Sequence, residues 1–262
     1  MQFIVQGYPA YAYTGGRDFD PKLPAILFVH GAAFDHSVWQ WQSRYFAHHG
    51  HAVLAVDLPG HGRSPGPARE TIGGMSDWIA EFIEAAGLER VALVGHSMGS
   101  LAALQTAIVR AHRVTKLALL GTAVPMGVSE PFLAAARDDS PAAFDMETVW
   151  GHARSAMLAQ SPVPGMALVS ASRALNGRAH PGVLHACLKA CQAYSPSIES
   201  IRAIPTPTLV LAGRRDQMTP AKFGKALAAE IPGVRFELID AGHSMMHEAP
   251  HETLRALRSF LD

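Results

Sequence analysis

A serine in a glycine-flanked turn is the residue of this sequence best suited to chemistry. Ser97 is the third residue of the turn GHSMG (residues 95–99), between an apolar, strand-forming run at 91–94 and a small, apolar, helix-forming run at 100–109. In a G-x-S-x-G turn between a strand and a helix, the serine occupies a strained corner with its hydroxyl exposed. The glycines leave room for the neighbouring chain, and the helix N-terminus favours nearby negative charge. The pattern predicts a nucleophilic serine.

A serine hydroxyl needs a base to accept its proton and an acid to orient that base. For a G-x-S-x-G turn the expected chain order is serine, then Asp or Glu, then histidine. Asp216 follows the apolar run 208–212, and His243 follows a run that ends at Ile239. The carboxyl ends of strands in an open α/β sheet gather at one edge. We therefore predict a triad of Ser97, His243 and Asp216.

Both partners of the serine have rivals. Asp240 is closer to His243 in sequence, and Asp216 could simply cap the helix that follows it. Asp216 is preferred because a separate strand end lets it approach the imidazole from the side opposite the serine. His247 and His251 are alternative bases, expected on or before the last helix.

An oxyanion formed on the substrate requires two N–H donors. The first is the backbone N–H of Met98, the residue after the predicted nucleophile. The second is expected from the loop after the apolar run 26–29, with Ala32 as first choice and Ala33 as the alternative. Because the donor is a backbone group, only a proline would exclude either position.

These residues must be held by a sheet. Apolar, strand-like runs alternate with helix-like stretches, which predicts an α/β fold with a mostly parallel central sheet and helices on both faces. The expected strands are 3–5, 11–13, 24–30, 52–57, 91–94, 116–120, 208–212 and 234–239. The expected helices are 37–49, 74–86, 100–109, 220–230 and a last one that ends at residue 261.

One region breaks this alternation. Between about residues 121 and 196 no strand pattern occurs, and the helical segments expected there are 132–137, 141–152, 166–175 and 181–193. We predict a helical cap at 122–195, inserted between two parts of the sheet domain at 1–121 and 196–262.

Composition narrows the choice of partners. The chain has 262 residues, 48% apolar and 17% charged, with acidic and basic residues balanced at 22 each. No basic stripe is present, which argues against nucleic acid and anionic membranes. No signal-peptide pattern or apolar run of ~20 residues occurs, so we expect no membrane span and a cytoplasmic protein. Cys187 and Cys191 are expected to be reduced packing thiols. The expected state is a monomer or homodimer.

Histidines are numerous, 14 in all, but most need no catalytic role. His48, His49 and His51 lie at an expected helix end without the spacing of a zinc site. His96, inside the turn, is expected to pack beside Ser97 rather than act as its base. We predict neither a metal nor a cofactor.

The cap supplies candidates for an apolar substrate pocket, although the same side chains could simply pack its helices on the core. The residues proposed for the wall are Ala33, His96, Met126, Phe144, Trp150 and Met157, with Phe132, Leu133, Met146 and Met166 as further candidates. Arg137, Arg154 and Arg173 could hold a substrate carboxylate, but a solvated surface is preferred for each.

Along nearly its whole length the sequence resembles the α/β-hydrolase fold superfamily. The motifs that carry the resemblance are HGAA (30–33), DLPGHGRS (57–64), GHSMG (95–99), GRRD (213–216) and GH (242–243). It looks most like bacterial carboxylesterases and capped C–C bond hydrolases, and the resemblance implies the triad and a helical cap over the sheet edge.

Three departures narrow the resemblance. The central position of the GHSMG turn holds a serine, whereas haloalkane dehalogenases and epoxide hydrolases have an aspartate there. This departure argues against both classes of enzyme. Ala33 also replaces the proline of the His-Gly-x-Pro loop typical of epoxide hydrolases. The His-Gly-Gly-Gly loop of lipases is missing, which argues against a long-chain lipase.

The expected activity is that of a cofactor-free serine hydrolase. Its small-molecule substrates would be small to medium apolar esters, lactones or thioesters, cleaved through an acyl-enzyme on Ser97. Because a histidine base must be neutral, activity should fall below pH ~6. The alternatives are a C–C bond hydrolase acting on ring-cleavage diketones, a perhydrolase or haloperoxidase-like activity, and a ligand-binding protein.

Overall fold

The computed structural model describes residues 1–158 and 161–262 and contains an eight-stranded sheet. The strands are β1 (Gln2–Val5), β2 (Tyr8–Tyr13), β3 (Ala25–Val29), β4 (Ala52–Val56), β5 (Val91–His96), β6 (Val114–Leu120), β7 (Thr208–Gly213) and β8 (Arg235–Ile239). Side by side their order is β1-β2-β4-β3-β5-β6-β7-β8. The pairs β1/β2 and β2/β4 are antiparallel, and all others are parallel. The predicted mostly parallel sheet is confirmed.

Helices cover both faces of this sheet. In chain order they are α1 (Gln40–Ala47), α2 (Ile72–Ala85), α3 (Met98–Val109), α4 (Glu130–Arg137), α5 (Pro141–Trp150), α6 (Arg154–Met157), α7 (Leu168–Asn176), α8 (Val183–Ala193), α9 (Ile198–Arg202), α10 (Ala221–Glu230), α11 (Met245–Glu248) and α12 (Pro250–Leu261). The short helices α6, α9 and α11 were not predicted, because four or five residues are too few to establish a period. Within the described residues, no helix combines the length and apolarity that a bilayer span requires.

Alternating side chains of the strands divide the core into two layers. In β3, Leu27 and Val29 face one layer, whereas Ile26 and Phe28 face the other. The first layer includes side chains of α2 and α3, and the second includes those of α1 and α12. Burial on both faces explains why these strands read as continuous apolar runs.

The connection from β6 to β7 is where the alternation of strands and helices stops. Residues 122–195, which we call the cap segment, hold helices α4 to α8 and no strand in their described part. Helix α4 packs against α5 and α8, and α8 packs against α3 of the sheet domain. The predicted division into core and cap remains a prediction.

A tight elbow joins β5 to α3. Ser97 adopts φ 52° and ψ −122°, a strained conformation for a residue with a side chain. A Cβ on Gly95 would lie 2.7 Å from Ser100 N, and one on Gly99 would lie 2.5 Å from Val29 O. The elbow can form only because its first and last residues, Gly95 and Gly99, lack a side chain.

We expect Gly99→Ala to lower the free energy of unfolding by about 1–3 kcal/mol, because its methyl group would overlap backbone atoms of β3. Gly73→Ala is the matched control. Gly73 is an exposed glycine of α2, and a Cβ there would meet nothing within 4 Å. The Gly73→Ala substitution should raise the free energy of unfolding by about 0.5–1 kcal/mol. Urea denaturation checks both, and equal effects at the two sites would contradict the close approach at the elbow.

Candidate active site

An imidazole and a carboxylate meet at the carboxyl edge of the sheet. Nδ1 of His243 lies 2.8 Å from Oδ2 of Asp216, and both side chains are buried. Because the carboxylate accepts the Nδ1 proton, Nε2 is left with a lone pair. No group of the described residues is hydrogen-bonded to this buried Nε2. The ring is therefore held in the orientation that a general base requires, with its accepting nitrogen unused.

Asp216 is itself firmly held. Its Oδ1 accepts the backbone N–H groups of Met218 at 2.9 Å and Thr219 at 2.8 Å. Its Oδ2 accepts the Thr219 hydroxyl at 2.7 Å, and that hydroxyl oxygen lies 3.1 Å from Nδ1 of His243. The aspartate contacts the histidine and closes the turn before α10, but it does not cap that helix, whose N-cap residue is Pro220. Thr219 was not predicted, although a threonine three residues after a turn aspartate is a recognisable signal.

The rival residues lie elsewhere. The Asp240 side chain is 71% exposed and pairs with Arg215 at 2.9 Å. His247 is half-buried in an edge-to-face contact with Trp41, with ring centroids 5.4 Å apart, and His251 is exposed. Of the candidate acids and bases, the structure brings together Asp216 and His243.

The predicted oxyanion donors lie where the loop after β3 passes the elbow. A Cβ on Gly31 would lie only 3.2 Å from the Ser97 Cβ, so the two segments are in close contact. His30 fixes the loop, because its Nδ1 lies 2.7 Å from Gly31 O and its Nε2 accepts the Leu58 N–H at 3.0 Å. Ala32 lines the cavity beside Ser97, whereas Ala33 takes a positive φ of 52° and does not.

Met98, the other predicted donor, is the first residue of α3. Its N–H is one of the groups at a helix N-terminus that have no acceptor within the helix. The helix dipole adds partial positive charge at the same place. An anion formed next to Ser97 would therefore meet a favourable field.

His96 has a positioning role behind the site. Its Nε2 lies 2.9 Å from the backbone carbonyl of His243, and because a carbonyl only accepts, the ring donates this bond. Burial, followed by the neighbouring His243, holds the pKa of His96 well below its usual value. The ring is neutral and fully buried, so it supports the loop of His243 rather than acting as a base.

A cavity of about 550 Å³ opens over Ser97 and His243. Its apolar wall residues are Ala32, Phe34, Met126, Val128, Pro131, Phe132, Met146, Trp150, Leu188 and Met218, and its other lining residues are Gly127, Ser129, Glu147, Gly151, Cys191, Gln217, Thr219 and Ser244. Met126 and Trp150 were predicted for the wall, as were the further candidates Phe132 and Met146. Phe34 and Glu147 were not predicted, since neither stands out from its sequence neighbours.

Four predicted wall residues do not line this cavity. Ala33 and His96 are buried behind it. Phe144 instead lies under the guanidinium of Arg173, 5.4 Å from the ring centre, and Met157 is 42% exposed. For Phe144 and Met157, the helical period identifies an apolar residue but not the neighbour that it faces.

The cap arginines do not line the cavity either. Arg173 pairs with Asp145 at 2.6 Å, and Arg137 lies 3.9 Å from Glu130, both on the outside of the cap segment. Within the described residues, the wall of the cavity contains neither lysine nor arginine. A substrate carboxylate would find no cationic side chain there.

Two hydrogen bonds tie the cap segment to the loop of His243. Ser244 N donates to Gly151 O at 2.9 Å, and Ala153 N donates to Oε2 of Glu248 at 2.8 Å. In the cap segment, the acceptor and the donor of these two bonds are both main-chain atoms of residues between α5 and α6. The end of α5 is therefore fixed against the loop that carries the base.

One group of side chains, Asp35, His36 and Asp57, comes close enough to share a metal ion among the described residues. Their ligand atoms are engaged with one another and with the chain. Asp57 Oδ1 lies 2.8 Å from His36 Nδ1, and its Oδ2 accepts the Arg63 N–H at 2.8 Å. This network of hydrogen bonds joins the loops after β3 and β4. That structural role accounts for the close approach of the three side chains without a metal ion.

The chain belongs to the alpha/beta hydrolase family. Residues 26–256 match the sequence profile of that family, described as "Alpha/beta hydrolase family". The fold supports the same assignment: a solved enol-lactonase of Burkholderia xenovorans LB400 superposes with a TM-score of 0.89, covering 100% of this chain and 99% of that one at 24% identity.

Curated relatives include enzymes of different length. A 3-oxoadipate enol-lactonase 1 of Acinetobacter baylyi is 25% identical over 249 residues, which are 92% of this chain and 89% of that protein. An acetyltransferase component of the acetoin cleaving system of Cupriavidus necator is 37% identical over 131 residues. This match spans 48% of the present chain and only 33% of the relative.

Four buried histidines and the half-buried His247 make the folded state sensitive to acid. Burial is the largest cause that lowers the pKa of His30, His61, His96, His152 and His247, to about 3 for His61 and about 4 for His247. In the unfolded chain each would titrate near its usual pKa of about 6.5. Below that pH the unfolded chain binds protons that the folded protein does not, so stability must fall as pH falls.

We expect the free energy of unfolding to drop as pH decreases from 7 towards 4. Each such histidine contributes up to about 1.4 kcal/mol per pH unit. Glu147, whose pKa burial raises to about 8, acts in the opposite direction but offsets only one of them. His247→Gln should reduce the dependence of the unfolding free energy on pH by the contribution of one histidine. His112→Gln, at an exposed site, should leave that dependence unchanged. Denaturant titrations at several pH values test this, and a pH-independent midpoint would contradict it.

Proposed function

We propose that this hydrolase is a cofactor-free serine enzyme that cleaves carboxylic esters, including lactones and thioesters, of small to medium apolar substrates. The observation that carries the proposal is the His243–Asp216 pair, because His243 has an unused Nε2 and lines the same cavity as the strained Ser97. A pair that only stabilised the fold would not need a free nitrogen beside an elbow serine.

In the proposed reaction His243 Nε2 accepts the hydroxyl proton as Ser97 Oγ attacks the substrate carbonyl. The N–H groups of Ala32 and Met98 stabilise the oxyanion. The imidazolium then protonates the departing alcohol or enol oxygen, which leaves an acyl-enzyme. Water, deprotonated by His243, releases the acid and restores Ser97. Asp216 keeps the imidazole oriented throughout and stabilises its positive charge.

The cavity supports a small, largely apolar substrate. A volume of about 550 Å³ with rings and thioethers on its walls suits a compact acyl chain or lactone better than a long lipid. The enol-lactonase relatives, which match most of the chain, favour an ester or lactone bond.

We also propose a role for the cap segment, a cellular compartment and an oligomeric state. Residues 122–195 act as a cap over the sheet domain formed by 1–121 and 196–262. The enzyme works in the cytoplasm, a compartment compatible with the free thiols of Cys187 and Cys191. It acts on small molecules as a monomer or homodimer.

We expect Ser97→Ala to lower kcat for p-nitrophenyl butyrate by about 10⁶-fold, because the acyl-enzyme cannot form. In a single-turnover reaction, intact-mass measurement should show an acyl adduct on the wild type and none on the variant. Ser170→Ala, at an exposed serine of α7, is the matched control and should retain the adduct. Absence of any adduct, together with turnover of a vinylogous diketone, would replace this proposal by a C–C bond hydrolase.

We expect Asp216→Asn to lower kcat by about 10⁴-fold, since an amide nitrogen facing Nδ1 favours the tautomer in which Nε2 cannot accept a proton. Asp240→Asn, at the exposed rival acid, should leave kcat within about twofold of the wild type. Steady-state kinetics and circular dichroism of both variants make the comparison. Loss of activity in the Asp240 variant alone would reverse the assignment of the acid.

A further inference from the structure

A carboxyl group without a partner lies in the wall of the cavity. Glu147, on α5 of the cap segment, is only 5% exposed and lines the cavity together with Ser97 and His243. Its Oε2 is buried and has no hydrogen-bond partner among the described residues. A buried carboxyl group is destabilising unless it is neutral, hydrogen-bonded or paired. A glutamate kept only for structure would be expected to have found a partner.

The surroundings of Glu147 provide no compensating charge. The described cavity wall has no lysine or arginine. The nearby thiols are neutral, since burial raises the pKa of Cys187 to about 12 and also raises that of Cys191. Burial alone raises the pKa of Glu147 to about 8, so that its carboxyl holds a proton at neutral pH in the free protein.

Aromatic rings on the same wall suit a positive ligand. Phe132 and Trp150 both line the cavity, with ring centroids 5.6 Å apart and planes at 90°. Trp150 lies three residues after Glu147, at a spacing that brings side chains onto one side of a helix. An aromatic face attracts a cation, most strongly where water is excluded. The carboxyl group of Glu147 and the two aromatic rings together have the chemistry of a binding site for a cationic group.

We propose that the ester substrate carries a positively charged nitrogen, and that Glu147 binds this group within the cap side of the cavity. The inference rests on the proposed ester hydrolysis and narrows its substrates to esters that combine an apolar chain with one cationic end. When the cation binds, the Glu147 carboxyl group releases its proton to solvent and the carboxylate pairs with the positive nitrogen. The O–H bond of the carboxyl group breaks, water or buffer accepts the proton, and no bond of the ester changes in this step. Substrates with a carboxylate in the same place are excluded.

Two methyl esters of matched shape test the proposal. Methyl 4-(trimethylammonio)butanoate and methyl 5,5-dimethylhexanoate differ in having a charged nitrogen or a neutral carbon at the same position. The charge of the first is permanent, so any proton released on binding comes from the protein. Binding is measured by titration calorimetry at pH 7, in two buffers of different ionisation enthalpy, on the Ser97→Ala variant.

We expect the cationic ester to bind about tenfold or more tightly than its neutral counterpart and to release close to one proton. The neutral ester should release none. In the wild type, acid release followed at constant pH should show the same preference in kcat/KM. Equal binding of the two esters, or binding of the cation without proton release, would overturn the proposal.

Variants separate Glu147 from other carboxyl groups. Glu147→Gln should lose both the preference and the proton release, yet bind the neutral ester within about threefold of the parent. Glu130→Gln, at an exposed residue of the neighbouring helix α4, should keep both. Glu147→Leu guards against misfolding, because it replaces the unpartnered carboxyl with an apolar group and should be at least as stable. If Glu147→Leu retained the preference for the cation, Glu147 would not be its binding residue.

These measurements keep the two proposals apart. Binding to the Ser97→Ala variant requires no hydrolysis, so cation binding without an acyl adduct in the wild type would overturn only the proposed function. An acyl adduct without cation preference would overturn only the role of Glu147. Tighter binding of monomethyl glutarate, whose carboxylate occupies the place of the cation, would also contradict it.

Discussion

The close approach of α3 to β3 and β5 is the constraint on which the site depends. Ser97 keeps its strained backbone because the helix is pressed against the strands on either side, and two glycines make that contact possible. Its own N–H donates to Leu120 O on β6 at 2.9 Å, so the turn is anchored to the sheet as well. The same contact brings the loop after β3 against the serine. One tight packing event therefore positions the serine and both expected N–H donors together.

Sequence reasoning was most reliable where backbone geometry demands particular residues. The mostly parallel sheet follows from the alternation of apolar runs, and Gly95 and Gly99 show where the elbow must lie. The positions of Asp216 and His243 at neighbouring strand ends were also foreseeable, because parallel strands deliver their carboxyl ends to one edge. The topology brings their loops together, and the turn that holds the Asp216 carboxylate completes the contact.

Prediction was weaker in the cap segment, where tertiary packing rather than local pattern decides direction. Phe144 and Trp150 lie on the same helix and are both aromatic, yet only Trp150 reaches the cavity. Glu147 reads as an ordinary surface glutamate in the sequence, and only the packing of α5 reveals that it is enclosed. The helical period indicates which residues share a face, but the face that meets the cavity depends on how α5 is oriented by its neighbours.

The hydrogen bonds between the cap segment and the loop of His243 involve main-chain atoms of Gly151 and Ala153. Because the cap segment contributes only main-chain atoms to these bonds, substitutions in its helices that keep the backbone path leave both bonds in place. What must be preserved is the path of the backbone between α5 and α6. The side chains that the cap segment presents to the cavity can therefore change without altering how the segment is attached to the loop of His243.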